Sequence, residues 1–76
     1  MNKFEKKFIA ACKEGDISSY ENIDIKYRNT GFIDACKCDR IIVVVKLLKM
    51  GINICSLESG FLGACLMGHM RIFHLL

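Results

Sequence analysis

A short stretch of sequence is written three times in this chain, and the repetition limits how the chain can fold. GFIDACKCDR at positions 31–40 resembles GFLGACLMGH at 60–69, and a fainter copy, KFIAACKEGD, covers 7–16. The copies align on Phe8, Phe32 and Phe61. A repeated unit with a length of about 30 residues predicts a repeat protein, whose units bury their apolar faces against one another.

The length and hydropathy of the chain predict one small folded domain. Its 76 residues leave room for a single core, and 53% of them are hydrophobic, too many for a disordered tail. The longest aliphatic run, Ile41 to Val45, is far shorter than the roughly 20 residues that a bilayer span needs. We expect repeat 1 at about 3–28, repeat 2 at about 29–57 and an incomplete repeat 3 at about 58–76, with no membrane partner.

Charge and cysteine usage point to a cytoplasmic protein without a nucleic-acid partner. The net charge is +3, and only Lys6 and Lys7 are adjacent basic residues, so no basic stripe follows the chain. The first residues lack the apolar region of a secretory signal. The five cysteines are an odd number, which favours reduced thiols in an intracellular, reducing compartment.

Three of those cysteines hold one place in the repeat, directly after an alanine. Ala and Cys in this pattern are typical of buried helix contacts, so we expect Cys12, Cys36 and Cys65 to be packed. Cys36 and Cys38 point about 200° apart on a helix and cannot share a metal ion without unwinding it, whereas Cys65 and His69, four residues apart, could. A packed Cys65 also lacks the accessible setting of a nucleophile. We therefore predict no enzyme activity and no catalytic, metal or cofactor site.

Apolar periodicity predicts six helices, near residues 3–14, 17–23, 31–38, 41–50, 60–67 and 69–76, with the usual boundary error of about two to four residues. Thr30 and Ser59 are the expected N-caps, and a turn is expected at Asp39, in register with Gly15 and Gly68. The β-branched run at 41–45 favours a strand by propensity alone, but the apolar pattern continues too far for one. Residues 52–59 are predicted to be an extended loop.

The repeated unit is similar to the ankyrin repeat, whose signature is T-P-L-H-x-A-A, then G-H, V-V, L-L and a closing Gly. In the middle copy the matching residues are Thr30, Phe32, Ala35, Cys36, Val43, Val44, Leu47, Leu48 and Gly51. In the last copy they are Ser59, Phe61, Ala64, Cys65, Gly68, His69, Ile72, Phe73 and Leu76. The resemblance implies an all-α, ankyrin-type repeat solenoid of stacked helix-turn-helix pairs with short extended loops.

The departures from that signature lie at the turns and loops. Gly31 and Gly60 replace the Pro, Ile33 and Leu62 replace the His, and Asp39-Arg40 replaces Gly-His. The period is also shorter than usual, which would shorten the loop fingers. Short units of this kind resemble the ankyrin repeats of large DNA viruses of amoebae, which would place the chain in host-cell cytoplasm.

By this resemblance the chain is a non-enzymatic protein–protein interaction module for a protein partner that the sequence does not identify. The alternative is a truncated or remnant ankyrin array without independent activity. The expected protein-binding residues are Lys13, Asp34, Lys37 and Leu66 on the first helices of the units and Lys26, Tyr27, Arg28 and Glu58 in loops.

The C-terminal stretch MRIFHLL departs from a finished repeat array. Terminal units normally turn a polar face outward, whereas apolar residues crowd this end. The sequence therefore predicts either that the chain is a fragment of a longer array or that a partner, such as a second copy of the chain, covers this segment. The residues expected to take part in self-association are Ile72, Phe73, Leu75 and Leu76.

Overall fold

The computed structural model describes residues 2–75, and within that range all regular structure is helical. The elements are α1 (Lys3–Glu14), α2 (Ile25–Lys37), α3 (Ile41–Met50), α4 (Ile54–Leu66) and α5 (Met70–Phe73). The predicted all-α class is therefore confirmed. The β-branched run Ile41–Val45 is helical too, because a helix places Val43, Val44 and Leu47 on one buried side.

Helices α1 and α3 have the predicted bounds, but the helix predicted at 17–23 is wrong. Residues 15–24 form turns and irregular backbone that buries Ile17 and Ile23. The Asp16 carboxylate accepts a hydrogen bond from the Ser18 N–H at 2.9 Å, and Asn22 has a φ of 53°. Local side-chain bonds of this kind compete with helix formation.

Helices α2 and α4 begin at Ile25 and Ile54, so the starts predicted near 31 and 60 are wrong, as is the loop predicted at 52–59. Asp24 and Asn53 are the N-caps, and their side chains accept from the N–H groups of Lys26 and Ser56. Thr30, an expected cap, lies inside α2. Its hydroxyl donates to a backbone carbonyl one turn earlier.

The first helix of each unit ends with the same geometry, as the aligned turns predicted. Gly15, Asp39 and Gly68 all have positive φ, at 100°, 59° and 78°. Each following N–H donates to the carbonyl of the repeated alanine: Asp16 to Ala11 at 3.2 Å, Arg40 to Ala35 at 2.9 Å, and His69 to Ala64 at 2.8 Å. This bond closes a Schellman-type C-cap, which requires a residue that tolerates the left-handed region.

Helices α1, α2 and α4 lie side by side with α2 in the middle, and α3 packs behind α2 while α5 packs against α4 and α3. The core runs between these two layers and includes the fully buried Phe8, Phe32, Leu47 and Ile72. Behind α1 no second helix is present in residues 15–24. An aromatic cluster fills that space instead, formed by Phe4, Phe8, Tyr20 and Tyr27 with ring centroids 5.3–6.4 Å apart.

Candidate functional site

The contact between α1 and α2, here called the α1–α2 joint, depends on a buried glycine. Gly31 faces Phe8 and Cys12 so closely that an added Cβ would lie 2.7 Å from the Cys12 Sγ and 2.8 Å from the Phe8 Cε2. Only a residue without a side chain allows the helices to approach this closely. The glycine that replaces the Pro of the ankyrin signature is therefore a packing residue.

The contact between α2 and α4, the α2–α4 joint, is built in the same way. A Cβ on Gly60 would lie 2.5 Å from the Phe32 Cε2 and 3.0 Å from the Cys36 Sγ. The rings of Phe32 and Phe61 meet edge to face, with centroids 6.0 Å apart. The aligned Gly, Phe and Cys of the sequence copies thus occupy equivalent places in two successive helix contacts.

Each joint also carries a hydrogen bond from a side chain to the end of the preceding helix. The Arg40 Nε donates to the Lys13 carbonyl at 2.6 Å, and the His69 Nε2 lies 2.9 Å from the Lys37 carbonyl. Arg40 and His69 are the residues that follow the positive-φ turn in their units. These bonds satisfy carbonyls that a helix C-terminus leaves free.

Two of the predicted binding residues form internal contacts, and neither lies in a loop. Arg28 belongs to α2 and is half-buried, and it donates to the carbonyls of Gly51 and Ile23 at 3.0 and 2.8 Å. Tyr27 is also half-buried in α2, with its ring 5.6 Å from that of Phe4. Because both side chains hold α2 to its neighbours, they present little surface to a partner.

Lys26 and Glu58 lie in helices too, Lys26 in the first turn of α2 and Glu58 one turn into α4, and both are exposed. The prediction that they occupy loops is wrong because α2 and α4 begin earlier than expected. The Lys26 Nζ lies 5.0 Å above the Tyr27 ring centroid. Asp34 is half-buried within α2.

The remaining predicted residues lie together at the C-terminal ends of the three aligned helices. Lys13, Lys37 and Leu66 hold equivalent positions in α1, α2 and α4 and are all exposed. We call them the helix-end row. The aliphatic part of Lys37 also lies across Gly63 of α4, where a Cβ would be 3.1 Å from the Lys37 Cγ.

The outward side of α4 is an apolar surface, of which only Glu58 and Leu66 are predicted from the sequence as binding residues. It comprises exposed residues at helical spacing, here called the α4 outer face: Ile54, Cys55, Glu58, Leu62, Cys65 and Leu66. Leu66 is 78% exposed, and the predicted burial of Cys65 is wrong. Cys12 and Cys36 are buried as predicted because a following helix covers them, and no element in residues 2–75 covers Cys65.

A second apolar surface lies along α3, beside the irregular segment 15–24. It is a shallow groove of about 330 Å³, here called the α3 groove, lined by Ile41, Ile42, Val45, Lys46 and Lys49. Ile42 is 76% exposed. The Lys46 Nζ at the border of the groove lies 3.3 Å from the Ile17 carbonyl of that segment.

The C-terminal residues expected to mediate self-association differ in exposure. Ile72 is fully buried, so the prediction that it forms a surface contact is wrong. It packs in the core at the position in α5 that corresponds to Val43 in α3. Phe73 and Leu75 are 41% and 39% exposed. Leu76 lies outside the described residues.

The buried thiols are held in the neutral form. Burial raises the pKa of Cys12 to about 12, with the Asp34 carboxylate adding to the effect, and burial alone raises the pKa of Cys36 to about 12. Such thiols are poor nucleophiles and poor metal ligands. Within residues 2–75 no group of three or more His, Cys, Asp or Glu side chains is arranged to hold a metal ion.

Among the helices of residues 2–75, none combines the length and the apolar character that crossing a membrane requires.

Comparison of the chain with family models, curated proteins and solved structures finds no significant match.

Proposed function

We propose that the chain is a non-enzymatic protein-interaction module of ankyrin-repeat type. The observation that supports this proposal most strongly is the repetition of one joint: Gly31 on Phe8 and Cys12, and Gly60 on Phe32 and Cys36. Repeated joints set helices side by side at a fixed spacing, and such arrays display extended surfaces for partners. The partner is a protein, in a reducing compartment where five unpaired cysteines stay reduced.

The partner surface in this proposal centres on the helix-end row together with Lys26 and Glu58. Lys13 and Lys37 place two cations at the same end of neighbouring helices. The packed core fixes the backbone of the helices that carry these exposed side chains, so binding has to order only the side chains and not the chain itself. Tyr27 and Arg28 support this surface from within through their contacts to Phe4 and Gly51.

Site-specific photo-crosslinking tests the proposal. A photoreactive residue at Lys26 or at Glu58 is expected to capture the same protein from cells that express the chain. The yield should fall about tenfold when Lys13→Glu and Lys37→Glu are added, because the charges that contact the partner are reversed. The matched control carries the photoreactive residue at Glu21, which is exposed in the irregular segment. Equal capture from Glu21 would contradict the proposal.

The second candidate is a truncated or remnant array without independent activity. The uncovered α4 outer face, where Leu62 is 61% exposed, favours this reading. A thermal melt of the purified chain separates the two candidates. A cooperative transition supports the interaction module, whereas an aggregate or an unfolded chain without a transition supports the remnant.

A further inference from the structure

Two apolar surfaces of this molecule face solvent, and they lie on different helices. On the α4 outer face, Ile54 and Leu62 are 70% and 61% exposed, and in the α3 groove Ile42 is 76% exposed. Contiguous apolar surface of this kind usually marks a binding site. The two surfaces share no residue, so both can be occupied at once.

The α4 outer face has the form of a surface that already receives a helix elsewhere in the molecule. Glu58, Leu62 and Leu66 hold the places in α4 that Asn29, Ile33 and Lys37 hold in α2. In α2 this side is covered by α4: the Asn29 side chain accepts from the Asn53 N–H at 3.1 Å, and Lys37 lies across Gly63. The outer side of α4 is therefore shaped to pack against another helix.

The charges of the two surfaces are opposite. Helix α4 contains no Lys or Arg, and Glu58 is its one charged residue. The α3 groove has an apolar floor of Ile41, Ile42 and Val45 with Lys46 and Lys49 at its border. The Lys46 Nζ lies 3.3 Å from the Ile17 carbonyl, whereas Lys49 is exposed and belongs to neither ion pair of residues 2–75.

We propose that the α4 outer face of one copy of this chain docks into the α3 groove of a second copy. Leu62 and its neighbours would cover Ile42 and Val45, and Glu58 would face Lys49. Pairing α4 with α4 brings two Glu58 carboxylates into one apolar contact, and pairing groove with groove brings lysines together, so charge complementarity favours the unlike pair. This self-association goes beyond the proposed function and does not depend on it. Glu58 and Leu66 belong both to the α4 outer face and to the proposed partner surface, so a bound second copy would compete with the protein partner at these two residues.

A contact between two different surfaces allows assemblies larger than a dimer. Each copy that uses its α4 outer face still offers an open groove, so addition continues unless the rotation closes a ring. The weight-average mass in sedimentation equilibrium is therefore expected to rise past that of a dimer as the concentration increases from about 1 µM to about 1 mM.

The deciding experiment mixes two variants that each block one surface. Ile42→Glu blocks the groove and Leu62→Glu blocks the α4 outer face. Each variant alone should associate at least about tenfold more weakly than the unmodified chain. An equimolar mixture should form a dimer and nothing larger, because the intact α4 face of the Ile42→Glu chain meets the intact groove of the Leu62→Glu chain.

The control is Ile25→Glu, an equivalent change at an exposed apolar residue of α2 outside both surfaces, which should leave self-association unchanged. Circular dichroism establishes that each variant is folded. If Ile42→Glu or Leu62→Glu fails to fold, Lys49→Glu and Glu58→Lys replace them, and each should weaken association while their combination in one chain restores it. A chain that stays monomeric throughout, or association lost with Leu62→Glu but unaffected by Ile42→Glu, would overturn the proposal.

Discussion

The α1–α2 joint and the α2–α4 joint are alike where the helices touch and unlike behind that contact. Both place a buried glycine on a Phe and a Cys of the preceding helix. Behind the second joint lie α3 and α5, whereas behind α1 lie the irregular segment 15–24 and the aromatic cluster. A close helix contact of this type therefore does not require a second helix, provided that other apolar groups bury the same side.

The aromatic cluster explains how the first unit manages without that helix. Phe8 is fully buried with its ring 5.3 Å from Tyr20, and Phe4 bridges the same ring to Tyr27. Aromatic pairs contribute about 0.5 to 1.5 kcal/mol beyond the area that they bury. A few large rings thus replace the aliphatic side chains that α3 supplies behind α2.

The largest expected loss of stability is for a substitution in the α2–α4 joint, which neighbouring helices cover, and it should exceed the loss beside the uncovered α4 outer face. Phe32 is fully buried, and Phe32→Ala should reduce the free energy of unfolding by about 3 to 5 kcal/mol. Phe61 is 8% exposed and lies beside the uncovered α4 outer face, so Phe61→Ala should reduce the free energy of unfolding by less. Urea unfolding measures both. A larger loss at Phe61 than at Phe32 would contradict the assignment of the covered and open sides.

Replacing the repeated alanines tests the register of the helices. Ala35 and Ala64 are fully buried, and Ala35→Leu or Ala64→Leu should overpack its site and cost about 1 to 3 kcal/mol. The stability of a chain of this size is only about 4 to 11 kcal/mol, so the melting temperature should fall clearly. An unchanged melting temperature for Ala35→Leu would show that the register is wrong.

Two glycines of α4 should respond in opposite directions to the same substitution. Glycine to alanine within a helix normally stabilises it by up to about 1 kcal/mol. At Gly60 the new Cβ meets Phe32 at 2.5 Å, so Gly60→Ala should cost about 1 to 2 kcal/mol net. At Gly63 the Cβ meets only the flexible Lys37 side chain, at 3.1 Å, and Gly63→Ala should be neutral or stabilising. Equal effects at both sites in urea unfolding would refute the close approach at the joint.

Alkylation of the cysteines shows which helix faces are covered and leaves the sequence unchanged. Iodoacetamide should modify the exposed Cys38, Cys55 and Cys65 of the folded chain and spare Cys12 and Cys36. Mass spectrometry of digested protein measures the labelling. Protection of Cys65 in the monomer would contradict the open α4 face.

The burial of the Cys12 thiol also makes the stability of the fold depend on pH. The pKa of Cys12 is about 12 in the folded chain, above its ordinary value of 9.0. The stability linked to this raised pKa is complete below pH 9.0 and is lost as the pH rises toward about 12. Unfolding by urea at a series of alkaline pH values should therefore show a steady decline, and Cys12→Ala should reduce the slope.

Sequence periodicity predicted the parts of the fold that depend on local pattern. The bounds of α1 and α3 and the turns at Gly15, Asp39 and Gly68 follow from apolar spacing and from residues that tolerate positive φ. The early starts of α2 and α4 were missed because Asp24 and Asn53 lie outside the aligned copies, although both are common N-cap residues.

The candidate surfaces could be predicted only in part, because exposure depends on which neighbours are present. Lys13 and Lys37 are exposed as expected. Leu66 is exposed as expected too. Cys65 occupies a position whose counterpart in α2, Cys36, is buried, so alignment alone could not show that Cys65 is open. The α3 groove could not be predicted either, because the apolar run at 41–45 does not show which of its residues a neighbouring element covers.

The central claim is that the repeated Gly, Phe and Cys form one kind of joint, and a double-mutant cycle tests it most directly. Phe32→Leu removes ring atoms that an Ala at position 60 would strike, so the two substitutions together should cost less than the sum of their separate costs, by about 0.5 kcal/mol or more. The same coupling is expected between Gly31→Ala and Phe8→Leu. Additivity within about 0.3 kcal/mol at both joints would contradict the account.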